Sequence, residues 1–156
     1  MGTKIVSIKS KEWCRFQPFL NGGACCNNAF PSGTVFGLLT GETIESIASM
    51  VWYTHPFYHT SFRDTLLPGL RGKEKSEVLD FLNKNVRVLA RIGTLPQFRG
   101  KGFAFELVEK TMPLLNVKYI ECLTAHDDVR KLLKRLAFTC VSAVKGKPID
   151  YWLRCL

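Results

Sequence analysis

The spacing of apolar residues alternates along the chain between the two periods that distinguish helices from strands. Apolar residues recur three and four positions apart in three segments, which predicts helices over residues 75–85, 102–112 and 127–138. Pro113 is expected to end the second helix. Runs that are rich in β-branched residues, or that alternate between polar and apolar, predict six to seven strands within residues 3–8, 32–53, 86–96, 117–124, 139–144 and 150–155.

The order of these elements predicts the fold class. Residues 32–53 divide into two β-rich runs at the turn 40–42, where Gly41 can adopt a positive φ, and this predicts a β-hairpin. Residues 11–20 are expected to be a short helix or an irregular segment, and residues 55–75 a loop. Strands come first and then alternate with helices, which predicts one mixed α/β domain over the whole chain, residues 1–156.

Positive charge is concentrated in the second half of the chain. Lys and Arg number 22 and Asp and Glu 13, a formal net charge of +9, and residues 71–156 hold seventeen of the basic and nine of the acidic residues. Such a field attracts anions, which leaves three classes of partner open: a phosphorylated cofactor, an acidic substrate and a nucleic acid. A basic protein without an anionic partner is the plain alternative.

Neither a membrane segment nor an export signal is predicted. No stretch approaches the ~18 continuous apolar residues of a membrane span, and the N-terminus lacks an apolar run followed by a cleavage site, so we expect a cytoplasmic protein that does not contact membranes. The six cysteines include no Cys-x-x-Cys pair, so reduced thiols and no metal are expected. A zinc site built from Cys14, Cys25, Cys26 and a histidine is the alternative.

The tripeptide Arg-Gly-Lys occurs twice, at residues 71–73 and 99–101. Only the second copy lies between a predicted strand and a predicted helix, so the backbone amides of residues 98–104 can converge at the positive end of that helix. Gly100 and Gly102 allow the backbone to approach an anion closely, and the basic residues beside them add positive charge. This pattern predicts a phosphate-binding loop, whereas the first copy is expected to be a solvated basic turn.

Two common nucleotide-binding motifs do not fit this loop. The P-loop requires Gly-x-x-x-x-Gly-Lys followed by Ser or Thr, but Gly93 and Gly100 are too widely spaced and Gly102 follows Lys101. The dinucleotide fingerprint Gly-x-Gly-x-x-Gly fails because Phe105 occupies its third glycine position. An NTPase and a dinucleotide-binding enzyme are therefore disfavoured.

Residues 97–102, Gln-Phe-Arg-Gly-Lys-Gly, resemble the Gln/Arg-x-x-Gly-x-Gly/Ala signature of the GCN5-related N-acetyltransferase superfamily. Pro96 precedes the signature as in many members, and residues 129–138 are similar to a later family motif that often ends Tyr-x-x-x-Gly-Phe. The resemblance spans about residues 86–140. It implies a mixed, mostly antiparallel central sheet of six to seven strands, flanked by helices and splayed between the fourth and fifth strands, with acetyl-CoA as co-substrate.

The resemblance also implies the position of a coenzyme site. A β-bulge in the fourth strand would let its backbone meet the pantetheine arm and thioester, and the loop would hold the pyrophosphate. Two positions depart from the family pattern: Leu133 stands where many members have a tyrosine that protonates the departing thiolate, and Ala137 stands where glycine is usual. The cofactor-binding residues expected on this basis are Ile92, Gly93, Thr94, Gln97, Phe98, Arg99, Gly100, Lys101, Gly102, Phe103 and Ala104.

The function implied is transfer of an acetyl or other acyl group from acetyl-CoA to a primary amine of a small or macromolecular acceptor. A narrower similarity, carried by Arg91 five residues before Pro96, joins the chain to a subgroup with phage-encoded proteins that includes the Mom DNA-modification protein. The alternative function is therefore a nucleic-acid-directed protein, either modifying a base or binding DNA, and the basic second half suits it. Edge strands of this fold commonly pair between subunits, so a homodimer is one candidate assembly, and the sequence does not decide the oligomeric state.

Amine acylation needs a neutral amine, and a lysine-like acceptor costs about 4–5 kcal/mol to deprotonate at pH 7. The fourth strand has no carboxylate, so the candidates for a general base are Glu121 on the fifth strand and His55 and His59 after the third. Arg91 is a candidate for orienting an anionic group, and an ion pair between Arg91 and Glu121 is the structural alternative. The predicted catalytic residues are Glu121, His55, His59 and Arg91.

Overall fold

The computed structural model describes residues 2–9, 32–58, 63, 67–143 and 149–156. Three α-helices lie within these residues: α1 (Lys75–Asn85), α2 (Phe103–Thr111) and α3 (Asp127–Arg135). The strands described are β1 (Lys4–Ser7), β2 (Thr34–Leu39), β3 (Ile47–Thr54), β4 (Val86–Thr94), β5 (Tyr119–Thr124), β6 (Thr139–Ala143) and β7 (Asp150–Cys155). All three predicted helices and the predicted strands are therefore confirmed, whereas residues 11–20 lie outside the described part of the chain.

The strands form a seven-stranded sheet in the order β1-β2-β3-β4-β5-β7-β6. The pairs β1–β2, β2–β3, β5–β7 and β6–β7 are antiparallel, and β4–β5 is parallel. The register of β4 with β5 joins Val86–Val88 to Tyr119–Glu121, three of the nine residues of β4. This arrangement confirms the mixed, mostly antiparallel sheet of seven strands, and the parallel pair β4–β5 is the place where a splay was expected.

The chain separates into two compact units, and β4 contributes to both. Residues 1–54 and 90–111 form the first unit, and residues 55–89 and 112–156 form the second. The prediction of a single domain over residues 1–156 therefore stays a prediction. No helix in the described part of the chain is long and apolar enough to cross a membrane.

The first unit contains the β2–β3 hairpin and helix α2. The hairpin is antiparallel as predicted, but its connection is longer than the turn at 40–42, because a 3₁₀ turn at Ile44–Ser46 precedes β3. Helix α2 packs on β2 and β3, and the Tyr53 hydroxyl lies 2.9 Å from the Thr111 hydroxyl in the interior. The core beneath the hairpin consists of Ile8, Val35, Leu39, Ile47 and Met50, all buried.

The second unit contains α1, α3 and the strands β5, β7 and β6. The apolar face of α1 packs through Leu82 against Leu70 and Val86, with Val78, Phe81 and Tyr119 around them. Helix α1 occupies the predicted residues 75–85. Helices α2 and α3 end earlier than predicted, at Thr111 and Arg135, and Pro113 lies inside a 3₁₀ turn, Met112–Leu115, rather than at the helix end.

The end of α3 explains why glycine is usual at position 137 in the family that the sequence resembles. Ala137 has a φ of 57°. The Ala137 amide donates to Lys134 O at 3.1 Å and the Phe138 amide to Leu133 O at 3.0 Å, the two bonds of a Schellman motif. A residue with a Cβ is strained in this left-handed conformation, so Ala137 carries an energetic cost that glycine would avoid.

Replacement of Ala137 by glycine is expected to stabilise the protein. Relief of the left-handed strain, less the extra unfolded-state entropy of glycine, should raise the unfolding free energy by about 1 kcal/mol and Tm by about 2–4 °C. Differential scanning calorimetry measures both quantities. The matched control is Ala90→Gly on β4, where φ is not positive, and there a loss of about 0.5–1 kcal/mol is expected. A lower Tm for Ala137→Gly would contradict this reading of the helix end.

Candidate active site

A tight turn joins β4 to the loop that the sequence singled out. Residues Pro96–Phe98 form a 3₁₀ turn that begins with the proline, whose missing N–H is not needed there. The Phe98 amide donates to Leu95 O at 2.9 Å and the Arg99 amide to Pro96 O at 3.2 Å. Both amides therefore donate within the turn, and the predicted role of Phe98 and Arg99 in binding a cofactor stays a prediction.

The five amides that follow are different. Gly100 and Gly102 have φ values of 77° and 80°, so both require a conformation that other residues rarely adopt. The first hydrogen bond of the helix runs from the Glu106 amide to Gly102 O, at 3.0 Å. Within the described part of the chain, the amides of Gly100, Gly102, Phe103 and Ala104 have no hydrogen-bond partner, whereas the Lys101 amide closes the turn over Arg99 and Gly100 with a weak bond. The amides of residues 100–104, which we call the amide row, begin at the loop and end in the first turn of α2.

The surroundings of the amide row favour a negative charge. The N-terminus of a helix carries about half a positive charge, and the exposed side chains of Arg99 and Lys101 add to it. A Cβ placed on Gly100 or Gly102 would meet no atom within 4 Å, so the space beside both glycines is open. The acidic residue of the first turn, Glu106, is compensated, because hydrogen bonds from Lys110 and Thr3 lower the pKa of its carboxyl group. The amide row is therefore suited to a phosphate group.

Aromatic and polar contacts fix the conformation of the loop. The rings of Phe98 and Phe103 lie with their centroids 6.1 Å apart, and the Lys101 ammonium lies 5.5 Å from the Phe98 ring centroid. Arg99 Nε donates to Thr94 O at 3.3 Å, which ties the loop back to the end of β4. Gln97, the first residue of the signature, is exposed.

The last residues of β4 are held by β3. The Ser49 hydroxyl donates to Gly93 O at 2.9 Å and lies 2.9 Å from the Thr94 hydroxyl. The Leu95 amide donates to Ala48 O at 3.0 Å. The half-buried residues Ile92, Gly93 and Thr94, predicted to meet a pantetheine arm, therefore lie on a strand end with a defined orientation.

The first Arg-Gly-Lys copy provides an internal comparison. Gly72 also has a positive φ, 78°, and open space beside it, and helix α1 begins three residues later. However, the N-cap of α1 is Glu74, whose carboxylate opposes a bound anion. The helix start after the first copy therefore has a carboxylate at its N-cap, whereas residues 97–104 around the second copy contain no acidic residue.

Glu121 forms a buried network in the second unit. Arg63 donates to Glu121 Oε1 through Nε at 3.1 Å and through Nη2 at 2.7 Å, and Tyr151 donates to Oε2 at 2.7 Å. The side chains of Arg63 and Glu121 are only 3% and 4% exposed. The carboxylate thus pairs with Arg63 rather than with Arg91, and both of its oxygens already have donors, so it is not exposed for direct proton abstraction from a substrate.

Arg63 is the residue that the sequence analysis missed. Besides Glu121, its Nη1 donates to the backbone carbonyls of Phe57 and Tyr58, at 2.8 and 3.2 Å. Burial is the largest cause that raises the pKa of the Tyr151 hydroxyl, and the charge and hydrogen bond of Glu121 raise it further, so the phenol remains a donor. The network fixes the segment after β3 against β5 within the same unit.

The other predicted catalytic residues are placed as follows. His55 is exposed, Arg91 on β4 is half-buried and has an interaction partner, and His59 lies outside the described residues. Leu133 is fully buried in α3, so this position supplies packing rather than a proton donor.

The described cysteines are thiols without a metal site around them. Burial raises the pKa of the Cys122 thiol to about 12, and Cys140 and Cys155 are exposed. Among the residues that the structure describes, no three His, Cys, Asp or Glu side chains are grouped to hold a metal ion. Cys14, Cys25 and Cys26, named as alternative zinc ligands, lie outside those residues.

Removal of Arg63 alone should be costly. Arg63→Met leaves the Glu121 carboxylate buried without its cation, and we expect the unfolding free energy to fall by about 3–5 kcal/mol in urea denaturation. Adding Glu121→Gln removes the uncompensated charge and should restore part of this loss.

The matched control is Lys84→Met, which breaks the exposed pair between Lys84 and Asp80. This change should cost less than about 0.5 kcal/mol. If the double variant Arg63→Met/Glu121→Gln were no more stable than Arg63→Met, the charge of Glu121 would not be the source of the loss.

The sequence matches no protein-family model and no curated protein, but solved structures resemble the fold. An acetyltransferase from Thermus thermophilus is 11% identical with a TM-score of 0.65, covering 100% of this chain and 98% of that chain. The ribosomal-protein-S18-alanine N-acetyltransferase from Escherichia coli is 11% identical with a TM-score of 0.60, covering 99% and 93%. NAA60 from Arabidopsis thaliana, in complex with acetyl-CoA, is 15% identical with a TM-score of 0.60, covering 99% and 98%. The chain has the fold of the GCN5-related N-acetyltransferases.

Proposed function

We propose that the protein is an N-acyltransferase that moves an acetyl or other acyl group from acetyl-CoA to a primary amine. The observation that carries the proposal is the amide row, residues 100–104, at the start of α2. Four unpaired N–H donors beside two glycines of positive φ match the diphosphate of a coenzyme better than a single carboxylate. The acetyl-CoA complex of the similarly folded NAA60 supports the choice of coenzyme.

The residues present fit this coenzyme. Diphosphate oxygens would accept hydrogen bonds from the amide row, while Arg99 and Lys101 would compensate the negative charge. Backbone groups of Ile92, Gly93 and Thr94 would meet the pantetheine arm. Bound acetyl-CoA supplies an activated thioester carbonyl for attack by the amine.

His55 is the proposed general base. It is exposed, and an imidazole can take a proton from an ammonium group at neutral pH. Glu121 is assigned a positioning role, because through Arg63 it holds the carbonyls of Phe57 and Tyr58, close after His55 in the chain. Orientation of an anionic acceptor group by Arg91, and participation of His59, remain parts of the proposal.

No tyrosine is needed at position 133 for the thiol to depart. Deprotonation of a thiol with a pKa near 8.5 costs only about 2 kcal/mol at pH 7, so CoA can depart as a thiolate. Proton donation by an acid would therefore lower the barrier only modestly. Leu133 instead packs in the core of its unit. We propose that the thiolate is protonated by solvent, and that the protein works in the cytoplasm, where thiols stay reduced.

Charge favours a second candidate, a nucleic-acid-directed protein of the same fold. The surplus of basic residues lies in residues 71–156, and Arg71, Lys73 and Lys75 form an exposed basic run. Neutralisation of several phosphates makes DNA affinity fall steeply with salt. Salt-dependent DNA binding together with a base adduct detected by mass spectrometry would support this candidate. If neither is observed, the amine acyltransferase is the one candidate that remains.

Binding of CoA should depend on Gly102 and not on Gly72. Gly102→Ala and Gly72→Ala introduce the same methyl group at the same backbone conformation, but only the first places it beside the amide row. We expect the Kd for CoA, measured by titration calorimetry, to rise at least about tenfold for Gly102→Ala, a loss of about 1.4 kcal/mol. Gly72→Ala should bind CoA as the wild type does.

Equal losses of CoA affinity in the two glycine variants would contradict a site at the amide row.

Activity is tested by incubating the wild-type protein with radiolabelled acetyl-CoA and a panel of primary amines, including polyamines, peptide N-termini and lysine peptides. Transfer of label to at least one amine is expected, and absence of CoA binding to the wild type would overturn the proposal.

A further inference from the structure

A buried hydroxyl group on β3 forms hydrogen bonds with the last two residues of β4. Ser49 is fully buried, and its hydroxyl donates to Gly93 O at 2.9 Å. The same oxygen lies 2.9 Å from the Thr94 hydroxyl. A serine hydroxyl has one proton, and since Gly93 O receives it, the Thr94 hydroxyl is the donor in the second bond. Ser49 thus satisfies two polar groups of β4 at once.

The bond to Gly93 O sets the direction of the next amide. A trans peptide is planar, so its C=O and N–H groups point in opposite directions. Because the Gly93 carbonyl points toward Ser49 on β3, the Thr94 N–H points away from β3. The Leu95 amide donates to Ala48 O, so the Thr94 carbonyl also points away from β3.

The carbonyl of Thr94 accepts a hydrogen bond from the loop, and the amide of Thr94 has a fixed direction. Its carbonyl accepts a hydrogen bond from Arg99 Nε at 3.3 Å. Its amide points away from β3 and lies beyond Val86–Val88, the residues of β4 whose register with β5 the structure defines. The bond from Arg99 also places the Thr94 backbone beside the residue that directly precedes the amide row. A backbone donor of fixed direction therefore lies next to the loop proposed to hold the diphosphate.

We propose that Ser49 is a positioning residue, which holds the Gly93–Thr94 peptide so that the Thr94 N–H donates to a carbonyl oxygen of the pantetheine arm. The inference rests on the proposed coenzyme site. The arm leaves the diphosphate and carries amide and thioester carbonyls, all of which accept a hydrogen bond from a backbone amide. Ser49 acts only through the peptide, and it is buried away from any ligand.

Serine is the side chain that fits this position. Alanine would remove the hydroxyl that bonds Gly93 O and the Thr94 hydroxyl, and the orientation of the Gly93–Thr94 peptide would be less firmly held. Threonine would add a methyl group at a site with no exposed surface. Cysteine has nearly the size of serine but is a weak donor, so it separates the effect of volume from the effect of the hydrogen bond.

The test compares CoA with its nucleotide half, adenosine 3′-phosphate 5′-diphosphate, which lacks the pantetheine arm. For Ser49→Ala, calorimetry should show the Kd for CoA rising about three- to tenfold, the effect of one lost or misdirected hydrogen bond. The Kd for the nucleotide half should be unchanged, because the amide row is intact. Ser49→Cys should give an intermediate loss for CoA and none for the nucleotide half.

The control is Thr111→Val, which also removes a buried hydroxyl from the first unit but lies at the far end of α2. It should leave the Kd of both ligands as in the wild type. Equal losses of both ligands in Ser49→Ala would mean that Ser49 only supports the fold, and unchanged CoA binding would mean that Thr94 makes no bond to the arm. Either result overturns the inference while the coenzyme site stands, whereas failure of the wild type to bind CoA overturns both.

Discussion

Unpaired backbone donors at the start of α2 are the constraint on which the account depends. Every α-helix begins with N–H groups that have no partner within the helix, and most proteins satisfy them with a capping side chain or water. Here the preceding residues, Gly100 and Gly102, are both left-handed, and the unpaired donors extend from the helix into the loop. The sequence places basic side chains rather than a capping oxygen beside them. A diphosphate satisfies such a row of donors, which is why the loop indicates a coenzyme rather than a structural turn.

The second unit depends on a different interaction, the buried pair of Arg63 and Glu121. A charged pair without exposure is stable only when every donor and oxygen is satisfied, and here the remaining partners are Tyr151 and two backbone carbonyls. The network joins β5, β7 and the segment that follows β3. Glu121, a predicted general base, therefore organises the chain next to His55.

The sequence predicted regular elements better than contacts. Periodicity identified α1 to the residue, because its amphipathic pattern ends where the β-branched run of β4 begins. It did not show that Phe98 and Arg99 use their amides in a 3₁₀ turn, since local turns leave no periodic signal. Arg63 was missed because a single arginine in a loop-rich segment looks solvated, and only the fold brings Glu121 to it. The sequence showed that Ala137 stands where glycine is usual in the family, but only the structure showed that this residue has a left-handed φ.

The central claim is tested most directly by the amide resonances of the loop. In ¹⁵N-labelled protein titrated with CoA, the account predicts that the amide protons of residues 100–104 shift downfield together and saturate at one ligand concentration. The amides of Phe98 and Arg99, already bonded within the turn, and that of Gly72 should change far less. Absence of shifts at residues 100–104, or shifts spread over basic surface residues and abolished by moderate salt, would contradict a diphosphate site at the start of α2.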